Sequence, residues 1–314
     1  MTPLEIDRLI EDIIRGNPVA VARAISLVEN NSLHAQDVMR GVFPHTGQAV
    51  VVGVTGAPGT GKSTLVNQMI GQLEADKKKI GVVAVDPSSP FTGGAILGDR
   101  IRMMCHSSNP DVFIRSMATR GHLGGLARTS GEALLLLEAA GKDYLLIETV
   151  GVGQDEVDVV KMADVIVVVL IPGAGDEIQV FKAGIMEIAD VFVLNKADSP
   201  DTERAKQQIN ALLDLGKKEG KAPELVQTVA TRGQGIGRLL EEVDRLIGDD
   251  RKEIRIRRKK QRLSWMLKEI ISEKIFDEVV GNVEDIEFDQ YVEKLYRKET
   301  DPYTLADKII RTFS

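Results

Sequence analysis

The chain has 314 residues, 43% of them hydrophobic, enough to bury one large α/β core and leave material for smaller helical appendages. Its formal net charge of −7 argues against a default role in coating nucleic acid or anionic membrane, since each needs a basic face. A lone cysteine, Cys105, cannot form an intramolecular disulfide, so nothing in the chain asks for an oxidising compartment.

The opening residues, from Met1 to Asp7, contain no basic segment followed by an apolar run and predict no secretory signal. The longest strongly apolar stretch, Val165 to Ile171, is too short to span a bilayer as a helix. The expectation is a cytoplasmic protein with neither membrane nor nucleic acid as partner; an organellar form that has lost a transit peptide is the alternative.

From Leu4 to about Arg40 apolar residues recur at helical spacing, which predicts two or three helices and an N-terminal helical extension over 1–45. From Gln48 the pattern becomes short β-branched runs alternating with amphipathic stretches, as in a mostly parallel, doubly wound sheet with crossover helices, here over 46–248. The predicted strands are Ala49–Thr55, Gly81–Val85, Val112–Met117, Tyr144–Glu148, Val165–Ile171, Val191–Asn195 and Leu225–Thr228. Most are continuously apolar, as befits strands covered on both faces. After Gly248 a long charged helix runs from Glu253 to about Val280, and Asp301 followed by Pro302 opens a last helix through Phe313. These helices of 249–314 are thin in apolar residues and need another surface, their own core or a second subunit. The basic run Arg255 to Arg262 has no interleaved aromatics and reads as a solvated arm or dimer face.

The segment Gly56, Ala57, Pro58, Gly59, Thr60, Gly61, Lys62, Ser63 and Thr64 follows a strand and opens a helix, the setting of a Walker A phosphate loop. Its glycines let backbone N–H groups close around phosphates, Lys62 would reach the β- and γ-phosphates, and Ser63 would bind Mg²⁺. At the end of a later strand, Asn195, Lys196, Ala197 and Asp198 fit a guanine-reading motif. Guanine presents N1–H and an N2 amine side by side, two donors that a fixed carboxylate accepts together, whereas adenine has no such pair. Asp198 is then the specificity residue, with the Lys196 stem over the base. Thr228, Val229 and Ala230 form the loop that supports the base from the other side. The cofactors expected are GTP or GDP and Mg²⁺.

Two acids stand at strand ends, where such sheets place ligands: Asp86 and Glu148. Glu148 occupies the place where Ras-like enzymes have aspartate, and its extra methylene favours a water-mediated Mg²⁺ contact. Gly151 keeps a backbone N–H for the γ-phosphate. Val152 follows it where Ras-type enzymes keep a water-positioning glutamine, so unassisted hydrolysis is expected to be slow.

The segments Asp86 to Met103, Arg120 to Leu126, Glu148 to Gln154 and Pro172 to Gln179 closely resemble the methylmalonyl-CoA mutase-associated GTPase family, also described as an arginine/ornithine transport kinase. The resemblance runs the length of the chain. It implies a SIMIBI-class GTPase domain, a C-terminal arm that makes a homodimer, and a role as chaperone of a B12-dependent acyl-CoA mutase. It also implies that Asp86, Asp99 and Glu148 surround Mg²⁺, and that a switch III segment carrying Asp176, Gln179 and Lys182 speaks to the mutase. No cobalamin-binding Asp-x-His-x-x-Gly loop is present, so cobalamin belongs to the partner. The alternatives are a nickel-insertion GTPase, disfavoured by the scatter of His34, His45, His106 and His122, and a P-loop kinase, disfavoured by Asp198.

Overall fold

The computed structural model describes residues 1–86, 104–106, 108–118, 125–149, 162–173, 188–215, 223–248, 251–280 and 285–313. The chain divides into two compact units, Met1–Arg262 and Leu263–Ser314.

Three helices open the first unit: α1 (Pro3–Ile14), α2 (Pro18–Glu29) and α3 (Ala35–Val42). Their starts are written locally. Thr2 accepts from Glu5 N while Glu5 accepts from Thr2 N at 2.7 Å, and Asn17 accepts from Val19 N at 2.9 Å, each ahead of a proline that needs no N–H partner.

Seven strands follow, β1 (Val50–Thr55), β2 (Ile80–Asp86), β3 (Val112–Ala118), β4 (Tyr144–Thr149), β5 (Val165–Leu170), β6 (Val191–Leu194) and β7 (Glu224–Gln227), in the order β3-β2-β4-β1-β5-β6-β7. Among the described residues every pairing between these strands is parallel. Each begins and ends within a residue of the sequence expectation, because continuous valine, isoleucine and leucine runs suit only strands buried on both faces. All of β1, β4 and β5 is buried.

One face of the sheet packs on α4 (Lys62–Ala75) and α7 (Ile236–Ile247) through Leu65, Met69, Ile70, Leu239 and Val243. The other carries α5 (Gly125–Ala139), on which α2 and α3 pack in turn. At about 1.5–3 kcal/mol for each fully buried aliphatic side chain, these two layers dominate the stabilisation. Arg115 of β3 donates to Ser26 Oγ at 3.2 Å and to the Glu29 carboxylate, tying α2 to the sheet edge. Between β6 and β7 lies the helix α6 (Thr202–Leu215).

The amino-terminal edge of the sheet carries a repeated device. The aspartate just before a strand caps the backbone of its neighbour: Asp143 accepts from Lys79 N at 2.7 Å, Asp164 from Val51 N at 3.0 Å and Asp190 from Ile166 N at 2.8 Å. The long helix α8 (Lys252–Val280) then lays a basic stripe on this edge. Arg255 donates to Ala49 O at 3.1 Å, Arg258 to Asp164 O at 2.5 Å and to the Asp190 carboxylate, Lys259 to Gly47 O, and Arg262 to Met162 O at 3.2 Å. This corrects the reading of the basic run as a solvated arm or dimer face. Arg255, Arg258, Lys259 and Arg262 share one side of the helix and are bonded to the sheet's own unit.

The second unit holds the rest of α8 with α9 (Asp285–Tyr296) and α10 (Pro302–Phe313). Asp301 caps α10, accepting from Tyr303 N at 2.9 Å and Thr304 N at 3.0 Å, and Tyr291 and Leu305 form a small core with Leu295 and Ile309. Among the described residues no helix is long and apolar enough to cross a membrane.

Candidate nucleotide site

The chain leaves β1, builds β2 and β3 to one side, returns to place β4 against β1, and crosses to β5 on the other flank. The carboxyl ends of β4, β1 and β5 therefore border the point where winding reverses, where open α/β sheets hold ligands.

The loop from β1 into α4 departs there. Gly56 has φ 149°, and a Cβ at that position would lie 2.4 Å from Val169 O of β5. Gly61 has φ 91° at the start of α4, with Asn195 Nδ2 2.5 Å from where a Cβ would stand. Both positions combine a backbone that favours glycine with a neighbour that leaves no room for a side chain. Lys62 is only 5% exposed, and its ammonium donates to Gly56 O at 2.8 Å and Ala57 O at 3.0 Å. Thr60 Oγ1 also donates to Ala57 O, at 2.9 Å, so the loop curls around the lysine head. Ser63 and Thr64 follow in the first turn of α4, partly buried.

Three loops are stitched together by Asn195. Its Nδ2 donates to Thr60 O at 2.9 Å, and its Oδ1 accepts from Thr228 Oγ1 and Ala230 N, both at 3.1 Å. Ala197 N donates to Thr228 O at 3.0 Å. Lys196 takes a left-handed φ of 56° and sends its Nζ to Gly59 O at 2.9 Å. A non-glycine residue in that region costs about 1 kcal/mol or more, and such strain gathers at functional loops. The Asp198 side chain remains 42% exposed, with the Arg232 guanidinium 3.5 Å from Oδ2. The structure thus brings Gly56–Thr64, Asn195–Asp198 and Thr228–Ala230 to one end of the sheet. Arg232 was not anticipated, since nothing in its sequence neighbourhood points to Asp198.

Glu148 pairs in register with Val54, next to the phosphate-loop strand, and is buried. Ser63 Oγ donates to its Oε1 at 2.5 Å. A hydroxyl and a carboxylate are the hard oxygen donors that Mg²⁺ accepts beside water and phosphate oxygens, so the residues fit that ion. Asp86 ends β2, one strand beyond β4. Asp99, Gly151, Asp176, Gln179 and Lys182 lie outside the described residues. Among the described residues no three His, Cys, Asp or Glu side chains form a metal-holding group.

Comparison with known proteins bears on what this arrangement does. The model of a family described as methylmalonyl Co-A mutase-associated GTPase MeaB matches residues 21–284. A Pyrococcus abyssi protein described as a GTPase is 45% identical over 311 residues, covering 98% of this chain and 96% of that one. The Mus musculus protein described as methylmalonic aciduria type A homolog, mitochondrial, is 36% identical over 250 residues, covering 74% of this chain and 60% of that one. The crystal structure of LAO/AO transport system kinase superposes with a TM-score of 0.71 over 99% of this chain and 98% of its own, at 24% identity, a likeness of fold. With a seven-stranded parallel sheet, a glycine-rich loop closed on its lysine and a stitched Asn195–Asp198 turn, the chain belongs to the methylmalonyl-CoA mutase-associated GTPase family, binding guanine nucleotide and hydrolysing GTP to GDP and phosphate.

Proposed function

We propose that this GTPase is the chaperone of a B12-dependent acyl-CoA mutase, methylmalonyl-CoA mutase foremost, and that it gates adenosylcobalamin loading and release and protects the mutase. The observation that carries the reading is the match of the mutase-associated family model across 21–284, joined to a nucleotide site built as that activity needs. The mouse relative's description supports it. Cobalamin stays with the partner, and the encounter takes place in the cytoplasm.

In this reading the backbone of Gly56–Gly61 and the Lys62 ammonium hold the β- and γ-phosphates, Lys62 exchanging its two carbonyl partners for phosphate oxygens. Asn195 keeps the loops in register while Asp198 and Ala230 face the guanine edge. Ser63 and Glu148, with Asp86 and Asp99, would hold Mg²⁺, which would supply positive charge to offset that of the β- and γ-phosphates. Gly151 supplies a backbone N–H to the γ-phosphate as water displaces GDP from phosphorus. With Val152 in place of a water-positioning glutamine, the intrinsic rate is slow and the mutase completes the site.

Asp176, Gln179 and Lys182 of switch III pass nucleotide state to the mutase. The test is GTP turnover with and without the host's mutase. Stimulation of roughly 10³–10⁵-fold, the scale a partner's well-placed charge can supply, is the upper range expected. Lys182→Ala should keep GTP affinity and lose stimulation. No stimulation of the parent by any such mutase would defeat the chaperone reading and leave the GTPase intact.

We extend the proposal to a homodimer through α8. Leu263, Leu267, Ile271 and Ile275 are exposed and recur every fourth residue, an apolar stripe on one helix face. A second copy of the same helix suits it. Leu267→Lys with Ile271→Lys should give a monomer by light scattering. Truncation after Gly248 is a poor substitute, because it also strips the four cations from the sheet edge.

A further inference from the structure

The ladder between β1 and β4 ends at Val54 opposite Glu148. One residue further, two hydroxyls meet: Thr149 Oγ1 donates to Thr55 Oγ1 at 3.1 Å, and both residues are fully buried. Strand alternation puts Val54 and Glu148 on the α4 face and the two threonines on the opposite one. For packing alone, valine would serve as well at either place. It has the same shape and spares the cost of burying a hydroxyl, about 1–3 kcal/mol if unpaired.

The placement gives the hydroxyls a task. Thr55 immediately precedes Gly56, whose carbonyl holds Lys62, and Thr149 immediately follows Glu148, whose carboxylate holds Ser63. The Thr149–Thr55 bond continues the cross-strand connection beyond the last ladder pair, where one strand releases the phosphate loop and the other presents its acid. A small splay of the two ends there would lengthen the Ser63–Glu148 contact directly. We propose that Thr149 and Thr55 are a positioning pair that fixes Glu148 against Ser63 and so sets the Mg²⁺ affinity of the nucleotide site. The inference rests on reading Ser63 and Glu148 as the residues that face Mg²⁺.

The experiment titrates Mg²⁺ into the full chain with fluorescently labelled GDP and follows GTP turnover and thermal unfolding in parallel. Thr149→Val should raise the half-saturating Mg²⁺ concentration about ten-fold, as loss of an outer support to a metal ligand does, and lower kcat, with nucleotide affinity in the absence of Mg²⁺ unchanged. Thr149→Ser should restore both. Thr55→Val with Thr149→Val removes both hydroxyls together and should leave Mg²⁺ affinity as low as Thr149→Val alone does. Recovery of Mg²⁺ affinity by the double valine, or a parental Mg²⁺ titration for Thr149→Val, would reduce the pair to packing and overturn the proposal. Ser63→Ala is the control. If it too titrates as the parent, the reading of the metal site fails and the proposal with it; if it weakens Mg²⁺ while Thr149→Val does not, only the proposal fails.

Discussion

Arg258 donates from its two terminal nitrogens to the two carboxylate oxygens of Asp190, at 2.6 and 2.7 Å. The same carboxylate accepts from Ile166 N at 2.8 Å, so one aspartate joins α8, the approach to β6 and the start of β5. The fork geometry suits guanidinium and carboxylate, and both groups are mostly shielded from water. Removing the cation strands a shielded carboxylate. Arg258→Met should therefore cost about 2–4 kcal/mol in urea unfolding. A loss below about 0.5 kcal/mol would mean that water replaces the guanidinium at no expense.

Glu138, at the end of α5, lies under the same stripe, accepting from Gly47 N at 2.9 Å with Arg262 at 3.4 Å. Burial pushes its carboxyl above the ordinary value, and Arg262 and Gly47 offset this only in part. The folded state thus binds this proton more tightly than the unfolded chain. The stability it contributes is fully present below the unfolded pKa and is lost as pH rises through the raised folded value. Glu138→Gln cannot ionise and escapes that loss. Compared by urea unfolding at pH 4 and pH 7, the variant should improve relative to the parent as pH rises. The opposite trend would mean that Arg262 outweighs burial.

These two contacts also mark where the sequence stops being legible. The strands could be read because each is a buried, β-branched run, and β5, Val165–Leu170, is recognisable from its six residues alone. The phosphate loop and Asn195–Asp198 were legible because chemistry fixes their local spacing. The destination of the cations in α8 was not. Arg258 meets Asp190 and Arg262 meets Glu138 across long stretches of chain, and a basic run looks the same whether its partners are water or carboxylates. The recurrence of Arg255, Arg258, Lys259 and Arg262 on one helical face was the available signal, and it says that a face exists without saying what it covers. The sequence marks Asn195 as part of the guanine motif, but its hold on Thr60 O depends on how two loops approach in space.

That approach makes Gly61 a sensitive position. A methyl there would stand 2.5 Å from Asn195 Nδ2, on a backbone at φ 91°. Gly61→Ala must displace Asn195 or unwind the start of α4. Strain of this kind costs about 1–3 kcal/mol, and it falls on the loop proposed to hold phosphate. The expected result is a fold intact by circular dichroism, with GDP affinity reduced about ten-fold or more in calorimetry. Parental affinity would show that the Asn195–Thr60 contact has no bearing on nucleotide.

Guanine selectivity should reside in Asp198. Its carboxylate is held at the loop surface, while Ala197 N is pinned to Thr228 O and Asn195 locks the neighbouring turn, so a base bound as proposed would meet a preset acceptor. Arg232 at 3.5 Å is an exposed counter-ion, and such pairs are worth about 1 kcal/mol at most, too little to rival two charge-assisted bonds to the base. Asp198→Asn keeps the acceptor for N1–H but presents an amide N–H₂ to the guanine N2 amine, donor against donor. At about 1.5–3 kcal/mol for each bond to a charged group, GTP affinity should fall by roughly 10²- to 10⁴-fold. Xanthine carries an oxygen where guanine has that amine, and the same amide donates to it, so xanthosine triphosphate should become the preferred ligand. Calorimetry of parent and variant with GTP, xanthosine triphosphate and ATP decides the matter. Equal GTP and ATP affinities in the parent would remove Asp198 as the reader of the base.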